Sequence, residues 1–182
     1  MTDDLSQPQT REEIDARHRE GAWTPDQLLA RLDELGFETT TEEHDPMWTV
    51  EDSQRLRTDM DEDGHCKSLF LRNKKGLMWL VVMLEDQRLD IKALGQALEQ
   101  KLSFAKPDRL MEYLGVIPGS VTPFSVVNDS ESAVQVVLQK RMMDCETLYY
   151  HPLRNYLTTA IKSADLMAFL EAQNHSPQIL DF

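Results

Sequence analysis

Asp63-Gly-His-Cys-Lys-Ser-Leu-Phe-Leu-Arg-Asn-Lys-Lys-Gly-Leu-Met-Trp-Leu-Val-Val-Met83 is the stretch from which the rest of the chain can be read. Leu69 to Arg72 and Leu77 to Leu84 are apolar, strand-like runs. Asn73-Lys74-Lys75-Gly76 between them carries turn chemistry, with Gly76 free to take the positive φ that closes a β-hairpin. Lys67 lies just ahead of the first strand, after a glycine. Its ammonium is therefore expected at the edge of a buried sheet, where a cation can hold an anion.

The 182 residues, 41% of them apolar, suffice for one sizeable core. No run approaches the roughly 18 apolar residues of a membrane span. The first residues, with Asp3, Asp4, Glu12 and Glu13, lack the basic-then-apolar order of a signal peptide. The expectation is a soluble cytoplasmic protein with no membrane partner. In that compartment Cys66 and Cys145 are free thiols, and without a Cys-x-x-Cys or His-x-x-x-His spacing no zinc site is expected.

A net charge of −13 argues against a nucleic-acid partner until its distribution is examined. Residues 1–65 carry 19 acidic and 6 basic side chains, whereas residues 66–182 carry 13 of each. The whole excess lies in the first third. Lys67, Arg72, Lys74 and Lys75 form a local basic cluster with no acid between Cys66 and Met83, enough for a small RNA contact and not for a long basic groove.

Residues 1–22, polar and charged, are expected as a mobile or partly helical acidic extension, with one domain over 23–182. Thr24-Pro25-Asp26-Gln27 predicts a helix start with a capping box, carrying Leu28, Leu29, Leu32 and Leu35 to Gly36. Phe37 to His44 reads as an edge strand and Thr49 to about Arg57 as a short helix. Asp59 to Asp63 is acidic but lacks the ligand spacing of an EF-hand, so it reads as a solvated loop. Beyond the hairpin, Asp90 caps one helix and Pro107 opens another that Gly115 ends. Val134–Leu138, Leu148–Tyr150 and Leu157–Ile161 are expected strands, and Ser163 is expected to cap a final helix.

Gly115-Val-Ile-Pro-Gly-Ser-Val-Thr-Pro-Phe124 holds two glycines and two prolines in ten residues, which fixes an irregular, rigid loop. The Gly119 and Ser120 amides can approach a ligand closely and stabilise a carbonyl or oxyanion, or the loop is only a turn. Ser120 has no Gly-x-Ser-x-Gly context for a serine hydrolase. Cys66 is a small packing residue or a thiol nucleophile. Adjacent strand residues face opposite ways, so the base for such a thiol would be His151 rather than His65. His151, held extended by the following proline, is a structural hydrogen-bond donor or a pocket residue.

Gly64–Leu71 with its hairpin, Leu102-Ser103-Phe104, Gly115–Phe124 with Asn128-Asp129, and His151–Asn155 with Thr158-Thr159 follow one another in an order that resembles a known family. It is the YbaK/ProX group of aminoacyl-tRNA deacylases, free-standing relatives of the editing domain inserted in bacterial prolyl-tRNA synthetase. The resemblance covers roughly residues 24–182. It implies a mixed α/β fold, a curled, mostly antiparallel sheet surrounded by helices, and hydrolysis of the ester between a wrong amino acid and its tRNA. Lys67 would be the hallmark residue at the substrate's 3′ end. Gly119, Ser120 and His151 would line the amino-acid pocket, with Ser68, Thr122, Phe124 and Asn155 as further substrate contacts. No metal or organic cofactor is implied, and the terminal hydroxyl of the tRNA would help activate water. Ser68 stands where alanine-specific members often carry asparagine. The expected substrate is alanyl-tRNA(Pro), with serine, threonine or cysteine esters as alternatives. A synthetase or elongation factor is an additional possible partner, DNA is not, and a non-catalytic adaptor that binds charged tRNA or a synthetase is the rival reading.

Overall fold

The computed structural model describes residues 10–56 and 63–182. Four of the five residues of the acidic loop, Asp59–Glu62, and Arg57, the expected end of the helix that opens at Thr49, lie outside them; within them that helix is α3 (Val50–Leu56).

The hairpin forms as β2 (Cys66–Arg72) and β3 (Met78–Leu84), antiparallel in register from Cys66 opposite Leu84 to Arg72 opposite Met78. Asn73 builds the turn. Its carboxamide oxygen accepts from the Lys75 and Leu77 amides, and Gly76 takes φ +89°. The first strand starts earlier than the apolar run announces, so Lys67 is the second residue of β2 rather than its preface.

β3 is the central strand. Its unbroken Met-Trp-Leu-Val-Val-Met run is buried on both faces, as a strand covered on both sides requires. Alternation sends Met78, Leu80 and Val82 into one core and Trp79 and Val81 into another. The first core takes Leu28 and Leu32 of α2 (Pro25–Glu34), Leu110 and Leu114 of α5 (Pro107–Leu114), and Leu166, Phe169 and Leu170 of α6 (Ser163–Ala172). The second takes Leu94 of α4 (Ile91–Ala97). The expected caps are present: Thr24 and Gln27 form a capping box, Asp90 accepts from the Lys92 and Ala93 amides, and Gly115 ends α5 at φ +67°. At α6, by contrast, Ser163 is the first helical residue and Lys162 occupies the cap without a side-chain bond.

The strands form two sheets. β4 (Ser103–Phe104), β2, β3, β5 (Val134–Gln139) and β8 (Gln178–Leu180) make a mixed five-stranded sheet in that order, with β3–β5 and β5–β8 parallel. β1 (Thr40–Glu43), β7 (Leu157–Lys162) and β6 (Thr147–Tyr150) make an antiparallel one, with β1 on the edge as its acidity predicts. The curl lies where the sheets meet. His65 bridges Tyr149, whose amide donates to Gly64 O at 3.0 Å. A Cβ on Gly64 would stand 2.1 Å from Thr147 O, so only glycine permits this corner.

Part of the stretch expected as a mobile or partly helical extension is a docked helix, α1 (Arg11–Arg17), opened by a Thr10/Glu13 capping box. Ile14 is fully buried against Ile117, Tyr156 and Leu157. Asp15 accepts from Arg154 Nε at 2.5 Å and Tyr156 Oη at 2.9 Å.

Candidate active site

A cavity of about 210 Å³ opens beside the corner between the two sheets. The start of β2 supplies Cys66, Lys67 and Ser68, the glycine–proline loop supplies Gly119, and the end of β6 leads into His151. These four predicted site residues, Lys67, Ser68, Gly119 and His151, come together from segments far apart in sequence.

Lys67 is half-buried. Its ammonium donates to Glu85 O at 3.2 Å and to Gln87 O, which leaves one of its three protons for a ligand. Burial pulls its pKa below the usual lysine range, opposed by Asp86, Glu85 and Glu51. The two carbonyls come from the turn after β3, so the hairpin register that sets Lys67 opposite Met83 also orients the ammonium.

His151 donates through Nδ1 to Leu157 O at 2.7 Å, which fixes the tautomer and makes Nε2 a lone-pair acceptor. Burial, reinforced by His44 and opposed by the Leu157 carbonyl, lowers its pKa to about 4, so the ring is neutral at pH 7. His44 lies 6.0 Å away, ring to ring, and Thr158 Oγ1 hydrogen-bonds His44 Nε2 at 2.8 Å. Cys66 gives its S–H to Gly64 O, and burial pushes the thiol up to about 12. A thiol so held is no nucleophile at neutral pH.

Four expected site residues do not line this cavity. Ser120 is fully buried and its amide donates to Ile117 O at 3.0 Å, so only the Gly119 amide remains as a carbonyl donor. Thr122 and Phe124 are fully buried because the chain enters a 3₁₀ turn at Pro123–Asn128. Thr122 Oγ1 accepts from the Phe124 amide, while Phe124 packs edge-on to Tyr150 and Phe169. Asn155 acts one layer behind. Its Nδ2 donates to Met47 O at 3.0 Å and its carbonyl accepts from the Met47 amide, which sets the Met47–Trp48 wall.

Sequence reasoning missed Trp48, Glu85 and Tyr149. Trp48 lies over Gly119, where a Cβ would approach its ring to 2.8 Å. Its local signal was an aromatic directly ahead of the Thr49 helix start in a polar stretch. Glu85, buried, accepts from Ser53 Oγ at 3.1 Å. Tyr149 stacks on His65 with 4.3 Å between rings. These two pairings join residues far apart in sequence and leave no local mark.

Among the described residues no cluster of three His, Cys, Asp or Glu is placed to hold a metal ion. Nor is any helix long and apolar enough to cross a membrane. The cavity brings together a half-buried cation, the Gly119 backbone and a neutral imidazole.

The aminoacyl-tRNA editing domain family matches residues 44–169. The chain is 37% identical over 151 residues to the prolyl-tRNA editing protein ProX of Acetoanaerobium sticklandii, covering 82% of this chain and 92% of that one. It is 32% identical over 166 residues to the prolyl-tRNA synthetase associated domain-containing protein 1 of Mus musculus, covering 86% and 95%. A crystal structure described as a candidate trans-editing enzyme for prolyl tRNA synthetase has the same fold, with a TM-score of 0.67 at 18% identity over 86% of this chain and 94% of that one. The chain belongs to the aminoacyl-tRNA editing domain family.

Proposed function

We propose that this chain is a trans-acting deacylase that hydrolyses alanine mischarged on proline tRNA. The observation that carries the reading is the convergence of Lys67, Gly119 and His151 on one small cavity, in a chain 37% identical to a prolyl-tRNA editing protein. Water attacks the ester carbonyl carbon, the bond to the ribose oxygen breaks, and free amino acid and the tRNA 3′ end leave. Lys67 holds the substrate's 3′ end through its remaining proton. The Gly119 amide receives the carbonyl oxygen as negative charge develops on it. His151, neutral, accepts from the ammonium of the aminoacyl group without repelling it.

Neither Cys66, a protonated thiol, nor His151, whose pKa burial lowers to about 4, supplies a strong base. Positioning together with the substrate's own terminal hydroxyl provides the activation. The discrimination is steric: a pocket shaped for alanine rejects the bulkier proline that the synthetase pocket accepts. Ser68 on the cavity wall sets the choice among alanine, serine, threonine and cysteine. The setting is the cytoplasm, on tRNA released by a synthetase or passed toward an elongation factor.

Single-turnover assays on alanyl-, seryl-, threonyl-, cysteinyl- and prolyl-tRNA(Pro) test the reading. Alanyl-tRNA is expected to be cleared fastest and prolyl-tRNA spared. Normal tRNA affinity with no turnover of any ester would make the protein an adaptor instead.

A further inference from the structure

β2 runs from the cavity at Lys67 to Arg72, where it pairs with the edge strand β4, and cations gather around that edge. Leu71 pairs with Phe104 and Arg72 with Ser103, the Ala105 amide donates to Phe70 O at 2.9 Å, and Asn73 Nδ2 donates to Gln100 Oε1 at 2.8 Å. These tethers set the hairpin turn beside the segment that opens α5. Together the two segments carry Arg72, Lys74, Lys75, Lys101, Lys106 and Arg109 against two acids, Glu99 and Asp108, in a chain of net charge −13. Among the described residues none of the six makes an ion pair. Lys74, Lys75, Lys101 and Lys106 are exposed, and between them Phe104 presents its ring to solvent, 57% exposed.

A charge run alone is usually a solvated face. Unpaired cations drawn from two distant segments, flanking an exposed aromatic at a sheet edge, have the composition of a nucleic-acid surface. We propose that this edge docks the base-paired arm of the tRNA that adjoins the aminoacylated 3′ end. The duplex is held through its phosphates, and Phe104 stacks on an unpaired nucleotide between duplex and ester. The assignment rests on the editing reading above and adds where the RNA lies. From Lys67 to Arg72 the strand spans roughly 17 Å, room for a few unpaired nucleotides to run from the edge into the cavity. Phosphate contacts carry no sequence information, so the edge contributes affinity common to many tRNAs.

The test measures fluorescence anisotropy of a labelled, uncharged RNA hairpin copying the acceptor arm, against wild type, Phe104→Ala and the triple variant Lys74→Glu, Lys75→Glu, Lys106→Glu. The triple variant is expected to bind about tenfold or more weakly near 0.1 M salt and to flatten the slope of log Kd against log salt by about 2. Its hydrolysis of an alanyl ester on a short single-stranded 3′ oligonucleotide is expected to equal that of wild type, which also controls for folding. Phe104→Ala is expected to weaken binding with no change in salt slope. Wild-type affinity in the triple variant overturns the surface whatever the esters do. Lost affinity in a protein that hydrolyses no ester keeps the surface and overturns the editing reading.

Discussion

Cys66 stands on the cavity wall next to Lys67, and its chemistry is decided by what surrounds the sulfur. With its proton given to Gly64 O and its pKa near 12, it acts as packing. Cys66→Ala is therefore expected to retain the single-turnover rate within about twofold, whereas a thiol nucleophile would lose some 10³-fold or more. Gly119 is the opposite case. Its φ of +90° and the Trp48 ring 2.8 Å from the place of a Cβ leave no room for a side chain. Gly119→Ala is expected to cost about 1–3 kcal/mol in a urea titration and to lower the rate by pushing Trp48 off the cavity. The histidines add a pH dependence. His18 and His151 titrate near 4 in the fold, chiefly through burial, helped by Arg154 at His18 and His44 at His151, against about 6.5 unfolded. Both are depressed, so between those values the unfolded chain binds more protons and stability falls as pH drops from about 6.5 toward about 4. Urea midpoints at successive pH values check this, with a shallower fall expected for His18→Gln.

α1 shows how an element whose docking leaves no mark in sequence can still bear on the site. Its one buried apolar residue, Ile14, gives no helical stripe. What docks it is Asp15 meeting Arg154 and Tyr156, some 140 residues away, along with Ile14 against Ile117. Those partners belong to the two loops that supply His151 and Gly119. Arg154 is buried while Asp15 is half-exposed, so Asp15→Ala leaves a buried guanidinium unpaired with partial solvent screening. A loss of about 1–2 kcal/mol in thermal or urea unfolding is expected, with a lower turnover rate at unchanged RNA affinity. Elements whose determinants are local were legible: the hairpin from its turn, α2 and α4 from their caps, α5 from Pro107 and Gly115. β4 and β8, of two and three residues, exist only because a neighbouring strand pairs them. The burial of Thr122 and Phe124 follows from the 3₁₀ turn after Pro123, which the spacing of glycines and prolines does not encode.

At the scale of the whole molecule, two sheets meeting at Gly64–His65 and Tyr149 create a cavity whose walls come from six separate stretches of chain. Lys67, Gly119 and His151 could be named from sequence because each sits in an unusual local context: after a glycine before an apolar run, between two prolines, and ahead of a proline. Trp48, Glu85 and the layer role of Asn155 depend on tertiary neighbours, so the folded chain was needed to find them. The central claim is that the assembled cavity hydrolyses a mischarged ester through Lys67. The most direct test compares single-turnover loss of alanyl-tRNA(Pro) and prolyl-tRNA(Pro) by wild type and Lys67→Ala, with circular dichroism to establish that both are folded. Wild type is predicted to clear alanyl-tRNA and spare prolyl-tRNA, and the folded variant to be slower by about 10²–10³-fold. Equal rates for wild type and variant would contradict the account, as would indifference to which amino acid the tRNA carries.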